Sequence, residues 1–123
     1  MSILLAKFIK RALSTLGDNV KGGIFLDGLN REPVFPYIIY QYNVSPDTST
    51  KDGSIYSCDV TISIFSKDGD TSLELAEQVR LAMLQTKNTS TQFDILDVVF
   101  TGYRGSLDVD EYERVVEFNI KTE

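Results

Sequence analysis

Histidine does not occur in this chain, and Cys58 is its single cysteine. Zinc centres built on histidine or on several cysteines, the Ser-His-Asp triad and the Cys-His dyad are therefore all out of reach. An internal disulfide is excluded too, which agrees with an intracellular setting. No run of about 18 apolar residues exists, so no membrane-spanning helix is expected. Basic residues are the minority, 12 Lys and Arg against 18 Asp and Glu. That net charge of -6 argues against a broad electrostatic grip on nucleic acid, and no recognition of a nucleic-acid sequence is expected. Neither a GxxxxGK[ST] run nor a GxGxxG is present, and no internal repeat is visible.

What is present describes one folded domain, residues 1–123. At this length, with 42% hydrophobic residues, seven Phe and six Tyr, roughly two thirds of the unfolded surface can be buried. The first 17 residues carry Lys7, Lys10 and Arg11 and no acid. A secretory signal places its charge before an uninterrupted apolar stretch; here Ile3, Leu4 and Leu5 come first and Lys7 interrupts, so no cleaved leader is expected. Leu5, Phe8, Ile9, Ala12, Leu13 and Leu16 fall at helical spacing, leaving Lys7, Lys10, Arg11 and Ser14 on the other side. This predicts a helix packed on the domain's own sheet.

Gly17 and Gly22-Gly23 end that helix, a short strand follows at Ile24 to Asp27, and Pro33 and Pro36 keep Asp27 to Pro36 irregular. Tyr37 to Val44 is apolar on both faces, which predicts a central strand or one covered by another subunit. Tyr40 and Tyr42 share one face, covered either by a loop of the same chain or by a neighbour. Ser45 to Gly53 is too long and polar for a tight turn and is expected to project as a mobile hairpin loop carrying Asp47 and Lys51. In the next strand Tyr56, Cys58, Val60, Ile62 and Ile64 point inward, which makes Cys58 a structural thiol. Lys67 to Asp70 turns the chain, and Thr71 with Glu74 reads as a capping box opening a second helix. The inner stripe of that helix is Leu75, Ala76, Val79, Ala82 and Met83, and it frays between Thr86 and Gln92. The sequons at Asn43 and Asn88 read only as turns.

Two closing strands, Phe93 to Tyr103 and Tyr112 to Lys121, flank an acidic corner of Asp108, Asp110, Glu111 and Glu113. Its spacing is not that of a calcium loop, and it reads as a solvated hairpin end with no metal. The order α-β-β-β-α-β-β predicts an α+β domain, an antiparallel sheet of about four to five strands with both helices on one face. No catalytic site and no cofactor site emerges, so no enzyme is expected.

The whole chain resembles the tail-terminator, or tail-completion, proteins of long-tailed bacteriophages. The resemblance is carried by the amphipathic opening helix, Gly22-Gly23-Ile24-Phe25, and Phe35-Pro36-Tyr37-Ile38-Ile39. It continues through the polar 45–53 excursion, the strand Cys58 to Ser66, and Leu75-Ala76-Glu77-Gln78-Val79-Arg80, in this order and at this length. It implies a virion protein assembled in the host cytoplasm. It also implies a homo-oligomeric ring, usually of six subunits, that caps the tail tube protein and meets the head-tail connector protein, with no enzyme activity, cofactor or membrane. A chain that is monomeric in solution and closes into a ring on the tail fits the same picture. The alternatives are an adaptor of another contractile or secretion machine, or a ligand-binding α+β domain, although no cluster of polar groups points to a pocket.

A ring needs a contact between two different surfaces of each subunit. Residues 1–35 hold five basic and three acidic side chains, while residues 36–123 hold seven and fifteen. The expected assembly residues are therefore Lys7, Lys10 and Arg11 against Asp108, Asp110, Glu111 and Glu113; Tyr40 and Tyr42 on their strand and Asp47 and Lys51 in the loop are expected to take part as well.

Overall fold

Phe8, Ile9, Ala12, Leu13 and Leu16 recur at helical spacing and all five are buried, the first four on one side of the first helix, α1 (Ser2–Ser14), and Leu16 in the turn just after it. The computed structural model describes residues 2–28, 34–46, 56–85, 95–108 and 111–122. Gly17, three residues past the end of α1, lies in the left-handed region at φ 58°, where a side chain would be strained. A single 3-10 turn, Gly17–Asn19, leads to β1 (Ile24–Leu26). Gly22 lies against the backbone that enters the next strand. Its N–H donates to the Pro36 carbonyl at 2.8 Å, and a β-carbon there would overlap the Val34 carbonyl oxygen.

The remaining elements are β2 (Tyr37–Pro46), β3 (Tyr56–Ser66), α2 (Gly69–Gln85), β4 (Ile95–Asp108) and β5 (Glu111–Thr122). They form one five-stranded sheet in the order β1-β2-β3-β5-β4, an α+β domain with the expected element order. Three of its pairings are antiparallel. The fourth departs from the expected pattern: Ile24 lies beside Ile38 and Leu26 beside Tyr40, so β1 runs parallel to β2 and the sheet is mixed. The cause is the connection. A tight turn reverses a chain, whereas ten residues separate Leu26 from Tyr37, enough for β2 to start beside the start of β1.

The period-2 pattern of β3 places Cys58, Val60, Ile62 and Ile64 on one face, opposite Ile120, Phe118, Val116 and Arg114 of β5. On β2 the same face carries Ile38, Tyr40, Tyr42 and Val44. Leu75, Ala76, Val79 and Met83 of α2 and the stripe of α1 close over these residues to form the core. Ala82, expected in the α2 stripe, is only half-buried.

α2 starts earlier than the expected capping box. The capping residue is Asp68: its Oδ2 accepts from the Thr71 N–H at 3.3 Å and from Thr71 Oγ1 at 2.8 Å. Those two bonds hold the carboxyl below its ordinary value. An ionised carboxylate one residue before the helix is the stronger acceptor for orphan N–H groups, so Thr71 becomes the third helical residue instead of the cap. The expected loop at 45–53 overlaps the structure only at Ser45 and Pro46, which continue β2; from 47 on it lies outside the described residues, as does the expected fraying from Thr86 to Gln92.

Candidate assembly surface

Lys7, Lys10 and Arg11 are all exposed, because the inward positions of α1 are taken by its apolar stripe. α1 lies over the β1–β2 side of the sheet. It packs on β1 and on α2, and the Tyr40 hydroxyl donates to the Ala6 carbonyl at 3.4 Å. Tyr40 therefore points into its own domain. At 3% exposure it belongs to the core, and Tyr42 packs half-buried against the same cluster. For Tyr40 the cover is the first helix. Burial, then the nearby Tyr42 and Asp27, pushes the Tyr40 phenol above its ordinary 10.0.

Glu111 and Glu113 open β5 on the other side of the sheet, both half-buried. Glu111 stands opposite the backbone of Asp108, and Glu113 opposite Phe65 on the uncovered sheet face. Asp47, Lys51 and Asp110 lie outside the described residues. The cations of α1 and the glutamates Glu111 and Glu113 thus occupy opposite sides of one sheet, along the strand order β1-β2-β3-β5-β4.

The uncovered face is mostly polar, and its groups bond one another. Asn119 Nδ2 donates to Ser57 Oγ at 2.8 Å and to Asp59 Oδ1 at 2.9 Å; Arg104 meets Glu117 at 3.4 Å. One end is aromatic. Tyr37 stacks on Phe65 at 4.7 Å and tilts against Phe35 at 5.3 Å, with the Lys67 ammonium 4.9 Å from the Phe35 ring centre. Burial, reinforced by Glu111 and Glu113, raises the Tyr37 phenol above 10.0. Sequence reading missed this cluster. Its signal was the apolar outward positions Tyr37 and Phe65, one on each of two paired strands.

A second feature was also missed. Between α2 and the outer strand β4 runs a groove of about 430 Å³, lined by Leu73, Ala76, Glu77, Arg80, Phe100, Tyr103 and Val116. Glu77 and Arg80 pair with each other at its rim. The rest of the lining is carbon apart from the Tyr103 hydroxyl. A ligand pocket fixes its occupant with convergent polar groups, so this lining suits a protein side chain better than a metabolite. Cys58 offers no chemistry there: it is fully buried, and burial with the charge of Asp59 pushes its thiol above 9.0, away from the reactive thiolate.

Residues 9–123 match the family described as Tail completion protein gp17. Among solved structures, the chain is similar to a chain from the virion of a native gene transfer agent particle. The two share 17% identity over 90% of this chain and 84% of that one, at a TM-score of 0.67. A second solved structure shares 9% identity over 100% of this chain and 96% of its own, at a TM-score of 0.69. At these identities the likeness is one of fold. No curated protein sequence matches.

Proposed function

The chain belongs to the tail completion protein gp17 family, and on that premise we propose that it closes the phage tail as a ring of identical subunits. A structural protein of the phage tail works by the surfaces it presents. In this reading six copies sit on the last turn of the tail tube protein, stop further addition, and offer their other side to the head-tail connector protein. Assembly takes place in the host cytoplasm before the tail joins the head. The likeness to a chain of a gene transfer agent virion supports the same setting.

The observation that carries the ring is the placement of charge. Lys7, Lys10 and Arg11 stand over one side of the sheet and Glu111 and Glu113 at the other. A closed ring is built from a contact between two different surfaces of the same subunit, repeated by rotation. Unlike charges on opposite sides of a subunit attract in that head-to-tail arrangement and repel in a face-to-self dimer. Each exposed pair contributes little alone, so several must act together and salt must weaken them.

The test is a charge swap read by native mass spectrometry, sedimentation and binding to tails that lack this protein. Changing Lys7, Lys10 and Arg11 to Glu is expected to weaken ring formation on the tail. Changing Asp108, Asp110, Glu111 and Glu113 to Lys in the same chain is expected to restore it. A parent protein that stays strictly monomeric and also fails to bind such tails would overturn the ring.

A further inference from the structure

We infer that neighbouring subunits of the ring lock together by inserting Leu26 of one copy into the α2–β4 groove of the next, where Asp27 meets Arg114. This rests on the ring reading above and names the contact it requires.

Among the described residues, large apolar exposure gathers near β1 and along α2 and β4. Among the described residues seven large apolar side chains are exposed: Leu26 is the last residue of the outer strand β1, Val34 lies beside Gly22 just before that strand, and the other five lie on α2 or β4. Leu26 is 41% exposed, and Leu73, Phe100 and Tyr103, which line the groove, are 48%, 38% and 46% exposed. β1 and β4 are the two outer strands of the sheet. A protruding apolar residue at one edge and an apolar groove at the other are the two halves of a heterologous contact.

The faces also agree. Leu26 pairs with Tyr40 and so lies on the helix-covered face. Phe100 and Tyr103 pair with Phe118 and Val116, both core residues, and lie on that same face. Rotation about a ring axis carries the helix layer of one copy beside the helix layer of the next, so Leu26 arrives on the side of the sheet where the groove opens.

Charge selects the same pairing. The half-buried Arg114 guanidinium has neutral acceptors only: Nε donates to Ser72 Oγ at 3.0 Å and Nη1 to Tyr103 Oη at 3.2 Å. Among the described residues no carboxylate pairs with it. A part-desolvated cation beside an apolar groove favours an occupant that brings an acid. Asp27, directly after Leu26, is exposed and pairs with no cation among the described residues. Its backbone is held in the left-handed region at φ 65° while its N–H donates to the Tyr40 carbonyl at 3.0 Å. The Leu26-Asp27 corner is thereby tied to the sheet through Tyr40, which lowers the ordering cost of docking.

Paired cysteines test the contact. Leu26→Cys with Tyr103→Cys, oxidised on assembled rings, is expected to give a disulfide ladder that ends at the ring number; Gln41→Cys with Tyr103→Cys is expected to give none. Cys58 can stay because it is fully buried. Separately, Asp27→Arg is expected to weaken association about 30-fold, as loss of one member of a desolvated charge pair does, and Arg114→Asp in the same chain to recover it. Rings that form normally but give no Leu26–Tyr103 ladder would overturn this contact and leave the ring reading standing. A parent protein that forms no ring alone or on tails would overturn both.

Discussion

Replacing Tyr40 by alanine separates two roles that a tyrosine on a sheet can play. Tyr40 sits at 3% exposure under α1, opposite Ile62 and next to Leu26 in the sheet. A buried aromatic removes about 150–250 Å² from water, and truncation to alanine in a packed core costs about 3–5 kcal/mol. For a chain of this size each kcal/mol shifts the melting temperature by roughly 3–5 °C. Tyr40→Ala is therefore expected to lower it by about 9–25 °C. Tyr40→Phe keeps the ring and loses only a hydroxyl bond of 3.4 Å to a carbonyl inside a helix. Its expected cost is about 0.5 kcal/mol, the low end for one hydrogen bond. Thermal unfolding followed by circular dichroism on dilute, monomeric protein reads both numbers without any contribution from assembly. If Tyr40→Ala melts within a few degrees of the parent and fails only in tail binding, the residue belongs to an interface and the placement under α1 is refuted.

Two further outcomes follow from groups the core holds. Cys58 has its thiol pushed above 9.0, and Tyr37 and Tyr40 have their phenols pushed above 10.0, chiefly by burial. A folded-state value above the unfolded one means that the unfolded chain ionises first, so the stabilisation is complete below pH 9 and is lost as pH rises through the folded values. Urea midpoints are expected to fall steadily from pH 9 upward, with the earliest part of the fall missing in Cys58→Ala; a midpoint flat to pH 11 would contradict this. Thr122 buries its hydroxyl with no hydrogen-bond partner among the described residues. Thr122→Val is expected to raise stability by about 1 kcal/mol in the same titration, since an unmade buried bond is removed, and a loss of stability would show that the hydroxyl has a partner.

The elements were legible in the sequence wherever the signal is local. The 3.6-residue spacing of Phe8, Ile9, Ala12, Leu13 and Leu16 specifies a helix and its buried side by itself, because neighbouring turns of one helix set the stripe. The alternation from Tyr56 to Ile64 specifies β3 and its core face in the same way. The exposure of Lys7, Lys10 and Arg11 follows from that stripe. Alternation also places Tyr40 and Tyr42 on one face, but it does not say which. That was decided by register, which sets Tyr40 against Ile62 and beneath α1. The start of α2 was ambiguous because Asp68 and Thr71 are both good caps, and only the folded turn selects between them. The parallel placement of β1 depends on where a long connection ends, which no local pattern encodes.

The groove shows the division most clearly. Phe100 and Tyr103 are three residues apart and by simple alternation belong to opposite faces. A bulge between Phe100 and Gly102 inserts one extra residue into β4 and turns both rings to the helix side. Arg114 reaches its neutral partner Ser72 across a separation of 42 residues, and Leu26 and Tyr103 stand at opposite edges because β5 inserts between β3 and β4. Helix and strand identity come from interactions a few residues long, which sequence spacing records. The surfaces that can join one copy to another come from strand order, register and bulges, which exist only once distant segments have paired.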